Sequence, residues 1–103
     1  MDGLDLQSSS ENQFFLKYDL ENMCDTISKG DILTINRIGK FTVPGVYLLS
    51  WMGKMQIFRC RIFRNEYIKL SDDEKPTPTI TLHETFEKCV IGYVGNVQKP
   101  SCH

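Results

Sequence analysis

The chain has 103 residues, of which 41% are hydrophobic and 24% are charged, and its formal net charge is −1. This length supports one small domain, and the composition is ordinary for a globular protein. The near-neutral charge argues against a dedicated nucleic-acid-binding domain, which normally carries a clear excess of Lys and Arg. No apolar run approaches the roughly 18 to 20 residues that a membrane-spanning helix needs.

The first segment, residues 1–12, is polar and acidic and contains three consecutive serines at 8–10. It has no hydrophobic periodicity, which predicts a linker or disordered arm, followed by the domain at 13–103. A basic and then apolar start, as in a signal peptide, is missing, so we expect a cytoplasmic protein. The cysteines at 24, 60, 89 and 102 form no CxxC pair. We therefore expect free thiols and neither a zinc ribbon nor a disulfide framework.

Short β-type runs separated by turn residues follow from residue 14 onward, which predicts a mainly β fold with short helical turns. Order is expected to begin at 14–16, with strands at 31–35, 46–51, 55–63, 67–70, 80–82 and 89–94. Short helical turns are predicted at 20–29 and 84–88. In the run 55–63, strand alternation places Phe58 and Cys60 on one face and Arg59 and Arg61 on the other.

Seven short motifs follow one another in a fixed order. They are FFL at 14–16, ENMCDTI at 21–27, GDIL at 30–33, PGVY at 44–47, IFR at 57–59, LSD at 70–72 and IGYV at 91–94. Their order and spacing resemble the S24 peptidase-like C-terminal domain of LexA and the phage CI-type repressors, over roughly residues 13–97. The resemblance implies the LexA/signal-peptidase-like β-fold.

In that family a lysine takes the proton from a serine, which then attacks a peptide carbonyl. The resemblance places Asn22 at the serine position and Phe58 at the lysine position, and Asp25 replaces the proline of the turn. Neither replacement can perform the missing step, because an amide is no nucleophile and a phenyl ring is no base. The resemblance therefore implies an inactive peptidase homologue, with no catalytic residues, no cofactor and no metal.

Three other chemical interpretations are open at this stage. In the first interpretation Cys24 acts as a substitute nucleophile, although its acidic neighbours Glu21 and Asp25 disfavour the thiolate. His83 with Glu84 and Glu87, or the terminal Cys102-His103 pair, would offer metal ligands, although the spacing matches no closed zinc site. Arg59 and Arg61 would meet a phosphate, although pairing with Glu66 and Asp72 is favoured.

The family's second task is self-association, which brings two DNA-binding heads to two half-sites. We therefore expect a homodimer or higher homo-oligomer that supports cooperative DNA binding by a separate N-terminal helix-turn-helix domain of a transcriptional repressor. An antirepressor or inducer protein is the further partner expected. The predicted surface consists of Val46, Tyr47, Leu49, Trp51, Ile91, Tyr93 and Val97. The alternatives are a self-cleaving protease that uses Cys24 and a stand-alone antirepressor-type module.

Overall fold

A computed structural model describes residues 12–19, 27–73 and 75–99. Strands dominate these residues, and a single short helix interrupts them near the end. In chain order the elements are β1 (Gln13–Lys17), β2 (Ile32–Arg37), β3 (Gly45–Trp51), β4 (Lys54–Phe63), β5 (Tyr67–Ser71), β6 (Thr79–Leu82), α1 (His83–Cys89) and β7 (Val90–Gln98).

The seven strands form one sheet in the order β1-β2-β7-β3-β4-β5-β6. Every neighbouring pair is antiparallel. Four consecutive strands, β3 to β6, form a meander whose neighbours in sequence are neighbours in space. The last strand, β7, leaves this local order and lies between β2 and β3, so it joins the N-terminal pair of strands to the meander.

Apolar side chains pack on both faces of the sheet. The buried members of the first core cluster are Tyr18, Ile27, Leu33, Ile35, Leu48, Ile57 and Val94. Those of the second core cluster are Tyr47, Leu49, Phe58, Cys60, Ile68, Leu70 and Phe86. Strand alternation explains the division, because successive side chains of one strand point to opposite faces.

The tight turn between β3 and β4 has two residues with positive φ, 55° at Met52 and 79° at Gly53. This is the pattern of a type I′ turn, whose twist matches that of the flanking strands. The turn between β4 and β5 also uses positive φ, at Arg64 and Asn65. Both turns fix their hairpins so that Trp51 lies opposite Lys54 and Phe63 opposite Tyr67.

The mainly β prediction is confirmed, and each of the predicted strands has a counterpart with slightly different ends. The helical turn predicted at 84–88 is the centre of α1. Of the helical turn predicted at 20–29, residues 20–26 lie outside the described residues, and residues 27–29 are not helical. No helix within 12–19, 27–73 and 75–99 is long and apolar enough to cross a membrane.

Candidate functional site

The predicted nucleophile turn is described only at its downstream end. Asn22, Cys24 and Asp25 lie among residues 20–26, outside the described residues, so their predicted roles stay predictions. Ile27, the last residue of the motif, is buried in the first core cluster. Gly30 follows with a φ of 97°, a left-handed conformation that glycine adopts without steric cost.

Asp31 is the buried carboxylate of this region, with 1% of its surface exposed. Its Oδ2 accepts hydrogen bonds from the Lys99 ammonium at 2.7 Å and from the Ser28 backbone N–H at 2.9 Å. The bond from Lys99 and then the bond from Ser28 hold the pKa of Asp31 below its ordinary value, against the opposing effect of burial. This carboxylate thus fixes the loop before β2 to the residue that follows β7.

Backbone hydrogen bonds close the same region. The Tyr18 N–H donates to the Asp31 carbonyl at 2.7 Å, and the Gly30 N–H donates to the Tyr18 carbonyl at 2.9 Å. The Tyr18 side chain is buried in the first core cluster. The end of β1 and the start of β2 are therefore fixed to each other, and residues 20–26 connect them.

Phe58, at the position that the resemblance assigns to the lysine, is a core residue. Only 2% of its surface is exposed, and it lies directly opposite Tyr47 in the β3–β4 pair. Its ring meets the Trp51 ring edge to face, with 6.5 Å between ring centres. An aromatic side chain in this environment supplies packing and offers no group that accepts a proton.

The predicted self-association surface is wrong at two of its seven positions. Tyr47 and Leu49 have no exposed surface, because they belong to the second core cluster. The Tyr47 hydroxyl donates to the Val43 carbonyl at 2.6 Å and accepts from the Thr42 and Val43 backbone N–H groups at 3.1 Å. Tyr47 therefore holds the loop before β3 from inside the protein.

The other five predicted positions are half-buried. Val46, Ile91 and Val97 pack against the first core cluster. Trp51 and Tyr93 pack against the second. Much of their apolar area is used within the chain, and their part in a self-association surface stays a prediction.

Three of the exposed apolar side chains lie together at the β6 edge of the sheet. Tyr67, Ile80 and Leu82 are 36%, 42% and 45% exposed. Tyr67 lies opposite Leu82 across the β5–β6 pair, and Ile80 lies two residues from Leu82 on the same face. We call these three residues the edge patch. The sequence TITL shows an uncharged strand with two apolar residues, but it does not show that this strand lies at an edge of the sheet.

The remaining candidate metal ligands form no metal site in the part of the chain that the structure describes. Within the described residues there is no group of three or more His, Cys, Asp or Glu side chains placed to hold an ion. In that same part of the chain the buried Nε2 of His83 has no hydrogen-bond partner. Cys89 is a free thiol and the Cys60 thiol is buried, whereas the predicted Cys102-His103 pair lies outside the described residues.

Comparison of the chain with protein-family models, with curated proteins and with solved structures gave no match.

We expect Phe58→Ala to lower the free energy of unfolding by about 3–5 kcal/mol, because it leaves a cavity in a packed core. Ile62→Ala is the matched control, since Ile62 lies on the same face of β4 but is 42% exposed. We expect about 1 kcal/mol or less for the control. Urea denaturation measures both values, and equal losses would show that Phe58 has no special packing role.

Asp31 predicts acid sensitivity of the fold. Because its pKa is lowered on folding, its stabilising effect is complete above the ordinary aspartate pKa and is lost as pH falls through the folded-state value. We expect the unfolding free energy of the wild type to fall more steeply below about pH 4 than that of Asp31→Asn. Chemical denaturation at a series of pH values measures this, and parallel pH profiles would contradict it.

Proposed function

We propose that this chain is a non-catalytic self-association domain. Following the resemblance to S24-like domains, we further propose that it serves a phage-type or bacterial transcriptional repressor in the cytoplasm. The observation that carries the proposal is the edge patch, which lies on β6, the last strand of the sheet, and on its neighbour β5. The uncharged aromatic side chain at Phe58 supports the non-catalytic part of the proposal.

The outer edge of β6 is suited to pairing with another strand. In the described part of the chain β6 pairs with β5 alone, so the backbone N–H and C=O groups of its other edge have no strand partner. Sheet edges normally resist pairing through charged side chains, prolines or bulges. The strand Thr79–Leu82 contains neither a charge nor a proline.

A second copy of this chain is the occupant that fits this edge. In an antiparallel β6–β6 pair centred on Thr81, Ile80 would lie opposite Leu82 of the second copy. All four of these apolar side chains would then share one face, next to Tyr67 of each copy. A two-fold axis produces this arrangement because each copy offers the same surface.

Such a contact is small, since it involves a four-residue strand and three side chains per copy. Interfaces well below the standard size of about 1,600 Å² support weak association. Weak association is sufficient when each copy carries a DNA-binding head, because tethering raises the effective concentration of the second head. Without a self-cleaving dyad, release would depend on an antirepressor or inducer protein.

Ile80→Lys tests the interface. We expect the wild-type chain to self-associate between micromolar and millimolar concentration. The variant should associate at least about tenfold more weakly, because the change places an ammonium group opposite the apolar Leu82 of the second copy and brings two like charges into diagonal positions. Ile62→Lys is the control, since Ile62 has the same 42% exposure as Ile80 but lies on the interior strand β4. Sedimentation velocity over a concentration series measures both.

A wild-type chain that stays monomeric at high micromolar concentration would overturn the self-association proposal. Equal weakening by Ile80→Lys and Ile62→Lys would instead place the interface away from β6. The repressor context has its own check, because the coding sequence upstream should then encode a helix-turn-helix domain.

The non-catalytic proposal predicts an intact chain after prolonged incubation at mildly alkaline pH. Intact mass spectrometry of the wild type and of Cys24→Ala provides the measurement. Cleavage that occurs in the wild type and disappears in Cys24→Ala would identify a substitute nucleophile and contradict the proposal.

A further inference from the structure

A pocket of about 330 Å³ opens beside the start of β3, on the basic face of β4 and β5. Its lining residues come from three segments that the sheet brings together. They are Pro44, Gly45, Arg59, Cys60, Arg61, Lys69 and Ser71. The pocket exists because β3 begins at Gly45, opposite Cys60, while β4 continues to Phe63. Arg61 therefore lies beyond the last residue of β4 that β3 covers.

Two positive charges face each other in this pocket. Arg61 lies directly opposite Lys69 in the antiparallel β4–β5 pair. Side chains in such positions have Cβ atoms about 4.5–5.5 Å apart, and like charges there destabilise the sheet. Across the described ranges neither side chain forms an ion pair. The repulsion between them is thus not compensated by a carboxylate of the described residues.

The third cation of the pocket differs from these two. Arg59 Nη2 lies 3.0 Å from Asp73 Oδ1, in an ion pair at the surface. The sequence had favoured Glu66 and Asp72 as carboxylate partners, and Asp73, next to Asp72 in the chain, forms this ion pair. Arg61 and Lys69 are therefore the two cations of the pocket whose charge is not paired with a carboxylate of the described residues.

The surrounding groups are arranged for an anion. Lys69 Nζ lies 5.1 Å from the centre of the Phe63 ring, a cation–π contact that limits its motion. Ser71, directly opposite Arg59, adds a hydroxyl to the lining. The arginine guanidinium presents paired N–H donors that match the oxygens of a phosphate or carboxylate.

We propose that this pocket binds a phosphate dianion, either as free phosphate or as the phosphate group of a small monoester. The two positive charges of Arg61 and Lys69 match the charge of −1.5 to −2 that a phosphate monoester carries near pH 7. A volume of about 330 Å³ lies at the lower end of small-molecule pockets. This site lies next to the edge patch but shares no residue with it, and phosphate binding is tested independently of self-association.

Titration with inorganic phosphate, at constant ionic strength and followed by amide NMR shifts, tests the proposal. We expect saturable shifts at the pocket residues and binding in the millimolar range. Arg61→Gln and Lys69→Gln should each weaken binding about tenfold, the loss expected for a charge-assisted hydrogen bond. Lys88→Gln removes the same charge from the exposed end of α1 and should leave binding unchanged.

We expect both pocket variants to fold, so weaker phosphate binding would not result from unfolding. Arg61 is exposed and Lys69 half-buried, and either substitution removes a repulsion between like charges. Without ligand, both variants should be about as stable as the wild type, because the loss of the cation–π contact in Lys69→Gln opposes the relief of repulsion. With phosphate, the thermal midpoint should rise for the wild type and for Lys88→Gln but not for the two pocket variants.

Two further ligands distinguish the source of the phosphate group. Adenosine monophosphate that binds more tightly than inorganic phosphate would identify a monoester site, whereas binding of inorganic phosphate alone would identify a site for the free ion. Acetate should not bind in either case. Non-saturable shifts, or equal effects of Arg61→Gln and Lys88→Gln, would overturn the proposal.

Discussion

The central strands β3 and β4 bury side chains on both faces of the sheet. This burial determines where the candidate functional surfaces lie. Tyr47 and Phe58 face one another in the second core cluster, while the adjacent pair Leu48 and Ile57 faces the first. The middle of this strand pair is covered on both sides and leaves no surface there for a ligand or a second subunit. Exposed groups are therefore displaced to the ends of these strands and to the later strands of the meander.

This constraint explains why the two candidate surfaces lie where they do. β5 and β6 bury Ile68, Leu70 and Thr81 on one face, and their other face carries Lys69, Tyr67 and Leu82. The edge patch and the basic pocket are thus parts of one exposed face. They differ in chemistry because apolar residues dominate beside the edge, whereas cations dominate beside β4.

Local features of this fold were predictable from the sequence. Alternation in the run 55–63 correctly separated Phe58 and Cys60 from Arg59 and Arg61. Successive side chains of a strand point to opposite faces regardless of what packs against the strand. The turn at Met52-Gly53 was predictable for a similar reason, since it depends on neighbouring residues. Both are short-range properties of the chain.

Non-local pairing was not predictable in the same way. Tyr47 and Leu49 were expected on a surface because their strand is apolar. The apolar composition of a strand does not show which distant segments of the chain pack over that strand and bury it. Phe41 and Phe86, distant in sequence from each other, both pack against the Tyr47 ring. The opposition of Arg61 and Lys69 likewise depends on the register of a hairpin, which the positions of charges alone do not determine.

The central position of β7 has a consequence for how this chain reaches its native state. β1 and β2 can pair early, and so can β3 to β6, but within the described residues the backbone pairing between these two units runs only through β7. Contacts between distant parts of the chain form slowly, because closing the intervening loop costs conformational entropy before the contacts begin to stabilise the chain. During synthesis the sheet therefore stays in two incomplete pieces until residues 90–98 have left the ribosome, and truncation within this segment would separate them again.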